Sequence, residues 1–311
     1  MTQAKKFLTA SLLSLLIACD AQQVEQKDDA SHAANQGIEV RDYDGSLISL
    51  DKPAERIIAL APHIVENIFT AGAGDKLVGV FAHSDYPEAA KSLPIVGGYS
   101  KTNFEKILEL QPDLVIAWKS GNSQTSIARI QELGFPVYVD QPDKLSDIAK
   151  SIKDIGILSG TRRISEAAVT SYVQKLEHLR SQQLEKPLVT TFYQVWNKPL
   201  RTINGNHIIS DAIELCGGVN IYADESVVAP IINIESILER DPEAILASGV
   251  SDSRPQWLDE WKQWPSLKAV AEDNLFFVNP NHIQRHSVRI IQGIEVVCRQ
   301  LQQAREKRRH G

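Results

Sequence analysis

Short apolar runs alternate with amphipathic stretches along most of this chain. The runs have the length and the β-branched content of buried strands. They cover residues 56–61, 77–80, 113–118, 136–140, 188–196, 244–248 and 274–279. Helical patterns lie between them, and those at 64–72 and 126–134 each end at a glycine. Because alternating strands and helices favour parallel α/β sheets, the two groups of runs predict two α/β lobes.

A longer helical pattern separates the two groups of strands. It covers residues 164–184, contains neither glycine nor proline, and keeps its apolar residues on one face. Such a helix would be about 30 Å long. A stiff helix between two lobes resists wide hinge closure, so we expect less movement here than in lobed proteins that are joined by loops.

A thirteen-residue phrase occurs twice. Residues 105–117 read EKILELQPDLVIA, and residues 235–247, which begin 130 residues later, read ESILERDPEAILA. Asparagine stands two residues before each copy, where it is a good helix N-cap. A proline follows the apolar helical residues and is expected to end the helix. Each copy therefore predicts a capped short helix, a proline turn and a strand, and the domain-sized spacing indicates two similar lobes.

The repeat gives Glu105 and Glu235 matching positions in the first turn of the two helices. A carboxylate there faces the positive end of the helix dipole, which is worth about 0.3–1 kcal/mol. On the residues alone, this dipole interaction and a functional role for the two carboxylates remain equal alternatives.

The N-terminus has the pattern of an exported protein. Lys5 and Lys6 precede an apolar stretch at 7–17 that is too short to span a bilayer. The next residues, LIAC, end at Cys19 and resemble the lipobox of bacterial lipoproteins, which are cut before the cysteine and lipidated on it. The alternative is an ordinary secretory signal. Asp20 resembles the signal that retains such lipoproteins at the inner membrane.

These patterns divide the chain into consecutive segments. They are a signal peptide (1–18), a flexible polar tether (19–37), a first α/β lobe (38–160), a linking helix (161–185), a second α/β lobe (186–305) and a basic tail (306–311). We expect the mature protein to lie in the periplasm, anchored by lipid to the inner membrane.

Charge and motifs exclude several classes of function. The net charge is −6, and removal of Lys5 and Lys6 with the signal peptide leaves −8, which argues against nucleic acid as a partner. The chain contains no glycine-rich phosphate loop, no HExxH and no GxSxG motif. The lipobox, the tether and the lack of a clustered nucleophile or acid–base set argue against an enzyme. Cys216 and Cys298 lie in a chain bound for an oxidising compartment, where they form either a disulfide or two unpaired buried thiols.

Several strings resemble the vitamin B12-binding proteins of bacterial ABC importers, within the wider family of substrate-binding proteins for siderophores, haem and corrinoids. The strings occur in the family's order across about residues 38–304. They are LAPHIVENIF (60–69), HSDYP (83–87), NFEKILELQPDLVIAW (103–118), FYQVWNKPL (192–200), NGNHIISD (204–211) and LCGGVNIYAD (215–224).

The resemblance implies two α/β lobes that are bridged by one long helix, with the ligand in the cleft between them. It implies that Glu105 and Glu235 dock into arginine pockets on the dimeric permease of the importer. It also implies a disulfide between Cys216 and Cys298. The function it implies is capture of cobalamin or a related corrinoid and delivery to an ABC importer. The corrinoid would be a transported ligand, and no cofactor is expected.

Ligand contacts are also implied by position in the family's motifs. They are His63, His83, Tyr99, Asn281 and Arg285, with Trp196 near the mouth of the cleft and Ala229 in place of a tryptophan. Two alternatives stay open. His63 and His83 either form hydrogen bonds at the rim or coordinate a metal in the ligand, and Arg285 either holds the ligand or only forms a salt bridge. The remaining histidines of the second lobe, His207, His282 and His286, are predicted to be structural or surface residues.

Three rival functions remain at this point. The nearest is a receptor of the same fold for haem or a ferric siderophore. An enzyme that acts on a tetrapyrrole is a second, because fold alone does not determine function. A lipoprotein that only binds another protein is the third. The sequence gives no reason to expect an oligomer, so we predict a monomer.

Overall fold

A computed structural model describes residues 37–99 and 101–308 of the chain. The predicted signal peptide, most of the predicted tether and the lipidation site at Cys19 lie outside the described residues. Within the described ranges, no helix combines the length and the apolar character needed to cross a bilayer.

The first lobe is built on a four-stranded parallel sheet. Its elements are β1 (Ile38–Arg41), β2 (Leu47–Leu50), β3 (Ile57–Ala59), α1 (Pro62–Thr70), β4 (Leu77–Val80), β5 (Gly97–Gly98), β6 (Lys101–Thr102), α2 (Phe104–Leu110), β7 (Leu114–Trp118), α3 (Gln124–Glu132), β8 (Val137–Asp140) and α4 (Leu145–Leu158). Short 3-10 helices cover Gly74–Lys76 and Glu88–Ser92. The sheet order is β4-β3-β7-β8, while β1 with β2 and β5 with β6 form separate antiparallel pairs.

The second lobe repeats this plan after the linking helix. Its elements are α5 (Arg162–Ser181), β9 (Val189–Gln194), α6 (Ile208–Leu215), β10 (Gly218–Asn220), α7 (Ile234–Arg240), β11 (Ala244–Ala247), α8 (Lys268–Ala271), β12 (Leu275–Phe277), α9 (Pro280–Ile283) and α10 (Ile290–Arg308). A 3-10 helix covers Gln256–Gln263. The parallel sheet has the order β10-β9-β11-β12.

The two sheets have the same topology. In each, the second strand along the chain lies at one edge, followed by the first, third and fourth. This confirms the prediction of two similar lobes with parallel sheets. All seven strands predicted from apolar runs are present. Strand β10 was not predicted, because its Gly-Val-Asn sequence offers no apolar run.

The repeated phrase forms the same structure in both lobes. The side chains of Asn103 and Asn233 cap α2 and α7 by accepting hydrogen bonds from the backbone N–H three residues on, at 3.0 and 2.8 Å. Both helices end before their proline, and the residue between adopts a left-handed conformation, with φ of 44° at Gln111 and 41° at Asp241. The predicted caps are confirmed, whereas the left-handed residue that ends each helix was not predicted.

Apolar residues form one inner core and two outer cores. Along β7, Leu114 and Ile116 face the inner core, while Val115 and Ala117 face the outer core of the first lobe. The second lobe has its own outer core, which contains Phe192 of β9. The inner core contains residues of both lobes. The two sheets are therefore covered by separate outer layers but share one inner layer.

The linking helix α5 belongs to this inner layer. It packs against α1 and α4 of the first lobe and against α10 of the second. Tyr172, Leu176 and Leu179 are its buried apolar residues. The first turn of α5 lies very close to α4, and Gly156 of α4 permits this approach. A Cβ added to Gly156 would lie 1.9 Å from Ser165 Oγ. The helix therefore joins the lobes through packing as well as through the chain.

The described part of the predicted basic tail contacts the second lobe. Residues 306–308 continue α10. Lys307 Nζ donates to the carbonyl oxygens of Glu272 and Asp273 at 2.9 and 2.8 Å, and Arg308 Nη2 donates to the carbonyl of Leu188 at 3.0 Å. These contacts hold the basic side chains against the second lobe.

Candidate functional site

The strand order places a crevice in each lobe. Between the first and third strands the connections change direction, and ligands of open α/β sheets bind beyond the carboxyl ends of such strands. In the first lobe Trp118 ends β7, and His63 lies in the first turn of α1, just after β3. In the second lobe Tyr193 is near the end of β9, and Ser248 follows β11.

A cavity of about 450 Å³ lies between the lobes, at the carboxyl ends of these strands. The first lobe lines it with Trp118, Ser120 and residues 141–143. The second lobe lines it with Tyr193, Val195, Ile203, His207, Ile208, Ile209, Val228, Ala229, Gln284 and His286. Mostly apolar walls with a few polar groups are typical of a small-molecule site.

Three imidazoles and an indole pack at the base of this cavity. The His63 ring centroid is 5.0 Å from that of Trp118 and 5.3 Å from that of His286. The ring of His286 also lies 5.9 Å from the ring of His207. His63 is only 4% exposed and does not line the cavity. Trp118, His286 and His207 therefore present their rings to the cavity, with His63 behind them.

Burial keeps the imidazoles at the base uncharged. It lowers the pKa of His63 to about 3, with the positive charge of Arg285 acting in the same direction. Burial also lowers the pKa of His286 well below its usual value, helped by the two neighbouring imidazoles. Asp140, whose Oδ2 lies 4.0 Å from His63 Nε2, has its pKa raised to about 7 by burial. Low polarity thus favours the neutral form of both histidines at pH 7.

This cluster is not arranged as a metal centre. Across residues 37–99 and 101–308, no group of three or more histidine, cysteine, aspartate or glutamate side chains is disposed to hold a metal ion. Nε2 of His63 and Nδ1 of His286 are buried and have no hydrogen-bond partner among the described residues.

A polar contact joins the lobes beside the cavity. The segment before α10 packs on α1, where Asn67 Nδ2 donates to the carbonyl of His286 at 3.0 Å. The carboxylate of Glu66 accepts a hydrogen bond from Arg289 Nη1 at 2.9 Å and another from the hydroxyl of Ser287. Glu66 is 3% exposed, and burial raises its pKa, while Ser287 and Arg289 oppose that shift. We call this contact the Glu66 joint.

Three of the predicted ligand contacts meet where the two lobes approach each other. Arg285 Nη2 lies 3.4 Å from the carbonyl oxygen of His83, 3.3 Å from Asn281 Oδ1 and 3.5 Å from Asp85 Oδ1. Asn281 Nδ2 also donates to Asp252 Oδ1 at 2.6 Å. Of the two alternatives for Arg285, the salt bridge is present in this structure, and it links the lobes. Contact with the ligand remains a prediction for all three residues.

The other predicted contacts are more exposed. Tyr99 is 92% exposed and Trp196 is 43% exposed, and neither lines the 450 Å³ cavity. Trp196 Nε1 donates to the carbonyl of Lys198 at 3.0 Å, which orients its ring. Ala229 lines the cavity, so the small residue leaves open the space that a tryptophan would fill.

Several lining residues were not predicted. His207 and His286 line the cavity, although the sequence analysis made them structural or surface residues. No local signal marks them. Trp118 could have been found, because it is the last residue of a predicted strand and such positions border the crevice of an α/β sheet.

The two repeated glutamates are exposed on the outer layer of each lobe. Each lines a surface depression, of about 660 Å³ at Glu105 and about 400 Å³ at Glu235. The depression at Glu235 is lined by Trp257, Trp261 and Trp264, whereas the one at Glu105 contains Phe104 as its aromatic residue. The two surfaces therefore share a carboxylate but differ in their aromatic content.

The predicted disulfide is present. Cys216, at the end of α6, is bonded to Cys298 of α10, 82 residues further along the chain. The bridge lies in the second-lobe part of the shared inner core. Of the two alternatives for these cysteines, the unpaired thiols are excluded.

Comparison with known proteins places this geometry in a family. The chain is 37% identical over 263 residues to the vitamin B12-binding protein of Vibrio cholerae serotype O1, which covers 84% of this chain and 94% of that protein. It is 33% identical over 257 residues to the vitamin B12-binding protein of Yersinia pestis, covering 82% and 90%.

Solved structures agree with this placement. The crystal structure of the periplasmic vitamin B12-binding protein BtuF of Vibrio cholerae matches with a TM-score of 0.74 at 38% identity, over 81% of this chain and 98% of that one. The periplasmic haem-binding protein RhuT from Roseiflexus matches with a TM-score of 0.71 at 21% identity, over 81% and 99%, which shows a common fold alone.

The family model for periplasmic binding proteins matches residues 57–281, which include the carboxyl ends of all the strands around the cavity. The resemblance inferred from the sequence is thereby confirmed. This chain belongs to the periplasmic binding protein family.

Proposed function

We propose that this protein binds cobalamin or a related corrinoid between its lobes and delivers it to an ABC importer. The observation that carries the proposal is the cavity shared by both lobes, in a chain whose relatives at 33–37% identity are named vitamin B12-binding proteins. A corrin is a broad, mostly apolar ring edged by amides. Trp118 offers aromatic surface to such a ring, and His207 and Gln284 offer polar groups to its amides.

The proposal includes no chemical step. The corrinoid is the cargo, and its release follows from docking on the importer and separation of the lobes. The cleft needs reversible contacts for this task, and neutral imidazoles provide hydrogen bonds without a fixed charge.

Calorimetric titration of the form that starts at residue 20, with cyanocobalamin and separately with haemin, tests the ligand. We expect one cyanocobalamin per protein and no haemin. Failure of the protein to bind cyanocobalamin would overturn the proposal.

The second candidate ligand is haem. The observation that favours it is His286, an imidazole on the cavity wall, because imidazole is a common ligand of iron. Binding of haemin alone, with a Soret shift that is lost in His286→Ala, would keep the fold and change the ligand.

Glu105 and Glu235 are proposed to dock on two equivalent cationic pockets of the permease dimer. Their exposure at matching positions of two similar lobes supports this role. Charge-assisted pairs at an interface set orientation and encounter rate. We expect Glu105→Ala with Glu235→Ala to leave cyanocobalamin affinity unchanged and to abolish stimulation of a reconstituted importer.

The matched control is Glu109→Ala with Glu239→Ala, which removes two exposed carboxylates from the same helices. The control should transport as well as the unchanged protein. Equal transport by both double variants would contradict the docking role.

The protein is proposed to act in the periplasm as a monomer, held at the inner membrane by lipid on Cys19. The LIAC sequence supports the anchor. Cys19→Ser should move the protein from the membrane fraction to the soluble fraction after cell lysis. A variant that stays with the membranes would rule out this anchor.

A further inference from the structure

His207 holds its ring through the backbone of the helix that it caps. Its Nδ1 accepts a hydrogen bond from the N–H of Ile209, the second residue of α6, at 3.1 Å. An imidazole nitrogen that accepts a hydrogen bond carries no proton, so the neutral ring carries its proton on Nε2. The helix cap therefore sets the tautomer as well as the orientation of the ring.

The ring also stays neutral across the physiological range. Burial lowers the pKa of His207 to about 4, although the charge of Asp143 acts in the opposite direction. Protonation would cost the ring its hydrogen bond from Ile209, since a doubly protonated imidazole has no acceptor.

On the first-lobe side of the cavity, Asp143 and Gln141 are already engaged, whereas the buried Nε1 of Trp118 has no hydrogen-bond partner among the described residues. Asp143 accepts a hydrogen bond from the Tyr43 hydroxyl at 2.8 Å and another from Gln141 Nε2 at 2.8 Å. Gln141 Oε1 in turn accepts from the backbone N–H of Ser120 at 3.1 Å. These side chains satisfy one another.

On the second-lobe side, the hydroxyl of Tyr193 also has hydrogen-bond partners. The Tyr193 hydroxyl shares a hydrogen bond with Ser248 Oγ at 2.6 Å, and Gln284 Nε2 donates to the same oxygen at 2.5 Å. Among the described residues no hydrogen bond reaches His207 Nε2, and its side chain lines the cavity. The buried Nδ1 of His286 also has no partner there, but no hydrogen bond fixes the tautomer of that ring as the helix cap does for His207.

From this geometry we infer that His207 donates its Nε2–H to an oxygen acceptor of the bound ligand, an amide carbonyl or a carboxylate, and does not coordinate a metal. The inference rests on the proposed function, because it requires a ligand in this cavity. A corrin amide and a haem propionate both supply the acceptor. Metal coordination through Nε2 would need that nitrogen without its proton, which the helix cap prevents.

Two variants separate the donor from the cap. His207→Asn retains a side chain that caps helices well, but its amide is shorter than the imidazole and no longer places a donor at the position of Nε2. His207→Asp also caps well and places a negative acceptor there instead. His178→Asn, on the exposed side of α5, is the matched control. Calorimetry with cyanocobalamin and with haemin, each at pH 6 and pH 8, measures binding, and melting temperatures report on the cap.

We expect cyanocobalamin affinity to fall on the order of tenfold in His207→Asn and further in His207→Asp, with the control unchanged. The melting temperature of His207→Asn should remain close to that of the unchanged protein. Affinity should be the same at pH 6 and pH 8, because the ring does not titrate in that range. Nitrogen-15 NMR of the ligand-free protein should show the Nε2–H tautomer of His207.

The outcomes separate this inference from the proposed function. If the unchanged protein binds cyanocobalamin and His207→Asn binds it equally well, the donor role is wrong and the function stands. If haemin binds instead and its affinity falls in His207→Asn without loss of the Soret shift, the acceptor is a propionate. Loss of that Soret shift, or the Nδ1–H tautomer, overturns the inference. If neither probe binds, both proposals fail.

Discussion

The outer and inner layers of the two sheets differ in how they relate the lobes. On the outside, α2 and α7 occupy matching places, and each packs on a core formed by one lobe. On the inside, helices of both lobes share one core with α5 and α10. The outer layers therefore carry the repeat, while the inner layer carries the connection. The repeated helices thus lie on the outer faces of the two sheets, and the packing that connects the lobes lies on their inner faces.

The largest effect is expected at the Glu66 joint. Glu66→Ala removes the buried partner of Arg289 and Ser287 and leaves that polar pair unpaired. Breaking a buried ion pair from one side costs about 3–5 kcal/mol. Urea unfolding should show a loss of that order. Glu166→Ala, at an exposed position of α5, should change stability by less than about 0.5 kcal/mol. A similarly small loss for both variants would mean that the joint does not bind the lobes together.

The disulfide tests the part of the shared inner layer that the second lobe contributes. Replacing Cys216 and Cys298 together by alanine should lower the free energy of unfolding by about 2–5 kcal/mol, because the bridge closes a loop with a sequence separation of 82 residues. Calorimetry with and without reductant gives an internal control. Reductant should lower the melting temperature of the unchanged protein and leave the double variant unaffected. An unchanged melting temperature on reduction would show that the bridge adds nothing to the inner core.

The smallest effects are expected at the caps of the outer layers. Asn103→Ala and Asn233→Ala each remove one hydrogen bond at the start of a short helix, at a cost of about 1 kcal/mol. The two losses should agree within about 0.5 kcal/mol, since the local structures match. Their sum should equal the loss in the double variant, because the helices pack on separate cores. Unequal losses of stability in the two variants would indicate that the two copies of the repeat differ in local structure and not only in the residues that surround them.

These effects parallel what the sequence could and could not predict. The caps at Asn103 and Asn233 depend on residues three positions apart, so a local pattern was enough to find them. The Glu66 joint connects residues 221 and 223 positions apart, and neither end has a distinguishing local pattern. His207 was predicted to be a structural or surface residue, because its place in the cavity wall depends on where α6 begins relative to the other lobe, which only the packing of the two lobes determines.

The questions that the sequence left open also differ in whether a sequence pattern could answer them. The two similar lobes followed from the internal repeat and from the alternation of strands and helices, whereas the disulfide followed from the family resemblance. The neutral state of His63 depends on burial behind Trp118 and His286, which residue type does not reveal. The protonation state of the histidines at the cavity could therefore be inferred only once the positions of their rings were known.

The shared inner core also bears on how the protein unfolds. A lobe removed from its partner would expose the apolar faces that α5 presents to α1 and to α10. Each half would lose part of its own interior, so neither is expected to be stable alone. Heat should therefore melt both halves in one cooperative transition, with equal calorimetric and van't Hoff enthalpies. By the criterion of cooperativity, a molecule with two architectural copies is a single folding unit.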